Sequence, residues 1–195
     1  MSDQKIIPPG TQINGYEVVS LLAIGGYTDI YKVKDIKTNQ LYAMKTELIN
    51  SEVKTLPLEI ECMKQFKEDF FPKFRENGIF EKFNISYLIM DLLGASIDTI
   101  QVYHRKKLDM ETVYNVCFNM LLIIQAFHSY GYVHRDIKPG NFLIQKNQGC
   151  PLVLVDFGIS KQHINPNTNK PYPRGEEKYF FGTERYASID ACTGY

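Results

Sequence analysis

His134-Arg135-Asp136-Ile137-Lys138-Pro139-Gly140-Asn141, followed fifteen residues after Asn141 by Asp156-Phe157-Gly158, is the stretch on which the reading of this chain turns. The residue types fit transfer of a phosphoryl group to a hydroxyl. Such a hydroxyl needs a carboxylate to orient it and take its proton, the role Asp136 fills in a loop of this pattern. Lys138 brings positive charge to the transferred group. Asn141 offers an amide oxygen and Asp156 a carboxylate, the hard oxygen donors that Mg²⁺ takes while it bridges triphosphate oxygens. A lone Asp-Phe-Gly carries little weight, whereas the two motifs in this order carry much more.

The flanking sequence predicts elements that hold these residues. Phe142-Leu143-Ile144 and Leu152-Val153-Leu154-Val155 are short apolar runs separated by the turn-like Lys146-Asn147-Gln148-Gly149, so they read as a hairpin joining the two motifs. Upstream, Val113 to Tyr130 lacks Gly and Pro, has helical length and ends at Gly131, a suitable C-cap.

His128 to Ile144, Val155 to Lys161 and Gly182-Thr183-Glu184-Arg185-Tyr186-Ala187-Ser188-Ile189 together resemble the casein kinase I and tau-tubulin kinase branch of the protein kinases. The resemblance runs from about Tyr16 to Tyr195, and Ala187-Ser188-Ile189 stands where most kinases have Ala-Pro-Glu. It implies an α+β, bilobal kinase-like fold: an extension over 1–15, a strand-rich N-lobe over 16–90, a hinge at 91–94, and a partial helical C-lobe over 95–195. The implied activity is Mg²⁺-dependent transfer of the ATP γ-phosphate to serine or threonine of protein substrates, since Lys138 is the serine/threonine-type residue in the catalytic loop.

The same resemblance distributes further roles. Leu41-Tyr42-Ala43-Met44-Lys45 reads as a strand whose Lys45 holds the α- and β-phosphates. Leu56, Ile60, Met63 and Phe66 recur at helical spacing, on a helix where Glu59 is the implied partner of Lys45 and Glu61 the alternative. Ile85 to Leu93 resembles the strand and hinge beside adenine, with Met90 as gatekeeper and the backbone of Asp91 and Leu93 meeting the base. Ile30, Ala43 and Leu143 complete the nucleotide-facing set. The phosphate-covering loop, Ala23-Ile24-Gly25-Gly26-Tyr27-Thr28, keeps Gly25 but has Ala23 and Thr28 where the family has glycine. Reduced backbone freedom, and with it reduced nucleotide affinity, is the expectation.

After Gly158, Asn165-Pro166-Asn167 and Pro171-Tyr172-Pro173 exclude regular structure and read as an activation segment. Thr183 resembles the threonine that bonds the catalytic aspartate and lysine. Arg174, Lys178 and Arg185 suggest acidic or already phosphorylated substrates, although Glu176, Glu177 and Glu184 offset that charge. The sequence ends at Tyr195, where kinases of this branch continue into further helices. The expectation is therefore a marginal fold, with Leu121, Leu122, Ile124 and Phe127 forming a bare apolar face at about 25 cal/mol per Å². A non-catalytic, kinase-like interaction module is the rival reading, supported by the depleted glycine loop.

Composition excludes other classes. With 22 basic and 22 acidic residues the net charge is zero, so no overall field points to nucleic acid or membrane. The basic run His104 to Lys107 lies beside Asp109 and Glu111 and reads as a solvated bend. Cys62, Cys117, Cys150 and Cys192 lack paired spacing and read as reduced thiols of a soluble cytoplasmic or nuclear protein. Residues 1–11 have no apolar signal core, and the run Leu121 to Ile124 is too short to span a bilayer. Oligomeric state is not legible.

Overall fold

Alternation of apolar and polar residues dictates the first part of the structure. The computed structural model describes residues 6–105, 107–145, 150–173, 175 and 179–193. They fall into two units: residues up to Phe66 with Pro72–Leu93, and Lys67–Phe71 with the residues from Gly94 onward.

In the first unit, β1 (Gln12–Ile13), β2 (Tyr16–Ile24), β3 (Thr28–Asp35), β4 (Leu41–Leu48), β5 (Phe74–Phe80) and β6 (Ile85–Asp91) form one antiparallel sheet of order β1-β2-β3-β4-β6-β5. Its core face gathers Val18, Tyr31, Val33, Met44, Ile85, Tyr87 and Ile89. Ile7 and Ile13 join that core, so the stretch marked off by sequence as an extension contributes two buried residues and the strand β1 to this unit. The amide of Ile7 donates to the Tyr31 hydroxyl at 3.2 Å.

The other face carries α1 (Leu56–Gln65), packed on β5 and β6. Its buried positions are Leu56, Glu59, Cys62 and Met63; Ile60 and Phe66, assigned to the inner face by spacing, are only half-buried. Burial pushes the Cys62 thiol up to about 12, with Glu61 and Glu59 adding to it. Cys62 is therefore expected to resist maleimide in the native protein while exposed Cys117 and Cys192 react. Peptide mass mapping with and without denaturant checks this; native labelling of Cys62 would refute it.

The second unit is built on α3 (Met110–Ser129), which follows α2 (Ile97–Tyr103). Asp109 caps α3 by accepting from Thr112 N at 2.8 Å, and Gly131, at φ +81°, ends it as the sequence predicts. The helix begins three residues before the expected Val113 because the cap residue, not the first apolar residue, sets the start. Beyond it come β7 (Tyr132–Val133), the hairpin β8 (Phe142–Ile144) and β9 (Leu152–Leu154), β10 (Lys161–Gln162), β11 (Ile164–Asn165), β12 (Lys170–Pro171) and α4 (Ile189–Cys192). The expected turn at 146–149 lies outside the described residues. Two short pairings in the segment after Gly158, β10 on β7 and β11 on β12, correct the expectation that it would hold no regular structure. Pro171 fits because β12 is a two-residue edge strand.

Phe127 is fully buried, not part of a bare face: its ring stacks on Phe157 at 5.3 Å, and Phe71 meets both, at 6.1 and 5.9 Å. The opposite side of α3 is open, with Met110, Tyr114, Phe118 and Leu121 each more than 60% exposed. At 20 residues and mean hydropathy 1.3, α3 is by length and composition sufficient to cross a bilayer. This departs from the expectation drawn from the run Leu121 to Ile124, which ignored the helix as a whole.

Candidate active site

A hydroxyl, an ammonium and an amide converge on one buried carboxylate. Asp136 is 7% exposed. Thr183 Oγ1 donates to its Oδ1 at 2.7 Å, Lys138 Nζ lies 2.7 Å from its Oδ2, and Asn141 Nδ2 donates to Oδ2 at 3.1 Å and to the Asp136 carbonyl at 2.8 Å. Lys138 Nζ also donates to Thr183 Oγ1 at 2.9 Å, closing a triangle. Burial alone would raise the Asp136 carboxyl, but the bonds from Lys138, Thr183 and Asn141 and the lysine charge hold it below the ordinary carboxylate range.

Asp136 is thus held ionised to below the ordinary carboxylate range, and an acceptor role would be lost only as pH falls through that depressed value. Thr183→Ala removes one lowering influence and leaves the burial, so the acid limb of kcat should move to higher pH. A kcat loss of about ten- to a hundredfold accompanies it, the size of one hydrogen bond to a charged group. A pH–rate profile checks this, and an unmoved limb would contradict it.

The hairpin sets the two expected metal donors. Phe142 pairs with Leu154, and Val155 N donates to Asn141 O at 3.0 Å, so Asn141 and Asp156 emerge at the same end of the two strands. Because Asn141 spends its Nδ2 on Asp136, its Oδ1 faces away as an available oxygen. Two side-chain oxygens suit Mg²⁺, which completes its shell with water and phosphate. Among the described residues no three His, Cys, Asp or Glu side chains form a metal cluster, so no all-protein cage competes.

Three supporting residues lay in the quoted motifs without any role. His134, 2% exposed, accepts from the Asp136 amide on Nδ1 at 3.2 Å, which leaves Nε2 protonated to donate to Val155 O at 3.0 Å. It ties the Asp136 loop to the strand before Asp156. Arg135 takes φ +68°, donates Nε to Ile159 O at 2.5 Å and lies 4.5 Å over the Phe181 ring. Gly182 takes φ +104°, where a Cβ would overlap the Arg135 carbonyl oxygen. A positive-φ glycine immediately before a threonine was the available signal, but its cause is an approach across 47 residues of sequence. Beside this cluster opens a cavity of about 250 Å³ lined by Asp136, Ile137, Phe181, Thr183 and Tyr186.

The first unit holds the expected phosphate-binding residues. Lys45 Nζ and Glu59 Oε2 are 2.6 Å apart, with the two side chains 4% and 2% exposed. Helix phase decides against Glu61, which is exposed while Glu59 is on the buried side. Ala23 pairs with Ile30, Ile30 with Lys45, and Ala43 with Met90. Cross-strand partners project to one side, so Ala23, Ile30, Ala43, Lys45 and Met90 share the face opposite the core. Leu93 follows the end of β6 in irregular chain, and the Asp91 carboxylate is engaged by Arg75 at 2.8 Å and by Lys73 N at 3.3 Å. Leu143 lies in the second unit, on β8 opposite Val153.

The glycine loop corrects the sequence argument. Neither Gly25 nor Gly26 has positive φ, and Ala23 and Thr28 lie within β2 and β3 at ordinary φ, so they give up no special freedom. Gly25 is required for another reason: a Cβ would stand 2.6 Å from Thr28 O, whereas Gly26 has open space. Of the expected basic groups, Arg174 and Lys178 lie outside the described residues, and Arg185 sits 6.0 Å over the Tyr186 ring.

A family model described as Protein kinase domain matches residues 16–190. A probable casein kinase I homolog of Encephalitozoon cuniculi (strain GB-M1) is 32% identical over 187 residues, which is 95% of this chain and 61% of that relative. The chain thus spans about three-fifths of the length of the curated relative it matches.

Proposed function

Because this chain belongs to the protein kinase family and is similar to casein kinase I, we propose that it transfers the γ-phosphoryl group of ATP to serine and threonine hydroxyls of protein substrates. The observation that carries this reading is the Asp136–Lys138–Thr183 triangle, with both carboxylate oxygens of Asp136 engaged and the side chain ionised. In the proposed step the substrate oxygen forms a bond to the γ-phosphorus as the bond to the ADP oxygen breaks, and the hydroxyl proton passes to Asp136. Lys138 opposes the negative charge on the transferred group. Thr183 holds Asp136 in the orientation that receives the hydroxyl. Asn141 and Asp156 would hold Mg²⁺, which when bound neutralises charge on the phosphate oxygens. Lys45, fixed by Glu59, would meet the α- and β-phosphates.

Acidic or phosphorylated protein substrates remain part of the proposal, with Arg185 as its described member. Peptide arrays comparing acidic with neutral sequences decide it, no preference counting against. We read α3 as a helix of the kinase domain, since it lies inside the matched residues, and place the protein in the cytoplasm or nucleus, where four unpaired thiols are stable.

The test is Mg·ATP-dependent phosphate incorporation into an acidic casein-like protein, followed by phosphoamino-acid analysis. Phosphoserine and phosphothreonine are expected, lost in Asp136→Ala and Asp156→Ala. Phosphotyrosine would overturn the hydroxyl specificity, and no incorporation by the parent would favour an interaction module.

A further inference from the structure

Thr55 occupies the N-cap of α1, yet its side chain makes no cap bond to the helix. Another element supplies the cap. Glu47, on β4 and fully buried, accepts on Oε1 from Thr55 N at 2.7 Å, Thr55 Oγ1 at 2.9 Å and Leu56 N at 3.1 Å. Its Oε2 is buried with no hydrogen-bond partner among the described residues. Burying a half-satisfied carboxylate is costly, and a threonine at the N-cap can serve a helix start unaided. Capping by itself therefore does not account for Glu47.

The strand register does. Lys45 and Glu47 are two apart on β4, so they project from the same face. Glu59, the partner of Lys45, sits one turn into α1, where its amide donates to Thr55 O at 3.2 Å. Two bonded links thus join one strand to one helix: Glu47 to the first residue of α1, and Lys45 to Glu59 at 2.6 Å. Each confines the motion the other permits, since one link alone leaves a helix free to pivot. The connection between strand and helix is also tied, Lys54 Nζ donating to Leu48 O at 2.7 Å and to Ile49 O.

We infer that Glu47 is a positioning residue, which anchors the start of α1 to β4 so that the Lys45–Glu59 pair is preformed before nucleotide arrives. The catalytic half of this statement rests on the kinase reading above. The positional half concerns α1 alone and is testable without phosphoryl transfer.

The experiment compares the parent with Glu47→Ala, Glu47→Gln and Thr55→Val by amide hydrogen exchange and by ATP-dependent kinetics. In Glu47→Ala, exchange across α1 should quicken about tenfold or more while the β3 and β4 amides keep their protection. KM for ATP should rise about tenfold, and Glu47→Gln, which keeps the accepting oxygen, should recover most of both. Adding Glu59→Gln to Glu47→Ala should cost much less than it does in the parent, because the pair is already disengaged. If Glu47→Ala fails to fold, Thr55→Val removes one of the three bonds and should show the same pattern at smaller size. Unchanged α1 exchange, additive double variants, or a glutamine no better than alanine would overturn the proposal. A parent that binds no ATP and transfers no phosphate, yet shows Glu47-dependent exchange in α1, would refute the kinase reading and leave the anchor standing.

Discussion

Asp136→Asn should lower kcat by about 10²- to 10⁴-fold with little change in KM for ATP, the range expected when a positioned proton acceptor is lost. Asparagine is nearly isosteric, so Thr183, Lys138 and Asn141 keep their places around it. It cannot accept the substrate proton, and its amide turns a donor toward one of three groups that now donate to the carboxylate. The loss should therefore appear in the transfer step, and single-turnover measurements with saturating ATP will show whether it does. Stability should move far less than activity, because the shape is conserved. A variant retaining more than about a tenth of parental kcat would show that Asp136 orients rather than accepts, and would sink its role as base.

Gly182→Ala should be nearly as damaging although Gly182 touches no reacting group. A single methyl would be driven into the Arg135 carbonyl oxygen, at a φ of +104° that alanine rarely adopts. Either strain alone costs about 1–3 kcal/mol, and relief requires the chain around Thr183 to move. Thr183 bridges Asp136 and Lys138 at 2.7 and 2.9 Å, so a displacement of about 1 Å breaks both bonds, and such a misplacement typically costs about 10²-fold. The expected signature is a kcat loss of that order with the acid limb of the pH profile raised, as for Thr183→Ala. A drop in melting temperature without that shift would mean that the glycine serves folding only.

The residues that sequence reading located are those whose chemistry is local. Asp136, Lys138 and Asn141 sit within one loop, and their spacing is the signal; Asp156 follows because one hairpin joins it to that loop. Glu59 needed more, since two carboxylates two residues apart differ only in helix phase, and the phase was fixed by Leu56 and Met63 becoming buried. What was not legible depends on contacts distant in sequence. Arg135 gains its role from Ile159 and Phe181, Gly182 from Arg135, and Ile7 from Tyr31. Phe127 looked like one more apolar residue on a helix surface; only its stack on Phe157 marks it as core. The glycine loop was misjudged for the opposite reason. A family pattern was read as lost backbone freedom at Ala23 and Thr28, whereas neither Gly25 nor Gly26 takes a positive φ and Gly25 leaves room for a carbonyl.

The hairpin has an implication for how freely this region can vary. Asn141 and Asp156 emerge at the open end, where Val155 N meets Asn141 O, while the other end closes through Gln145 N and Pro151 O at 2.9 Å. Residues added between Gln145 and Pro151 would leave the pairings from Phe142 to Leu154 and from Ile144 to Leu152 in register. One residue added between Asn141 and Phe142 would instead offset Asn141 from Asp156 by a step of about 3.3 Å while Asp156 keeps its place. The closed end is thus where an epitope tag or a reporter peptide can be inserted, and the open end is where a single-codon insertion is lethal to the site.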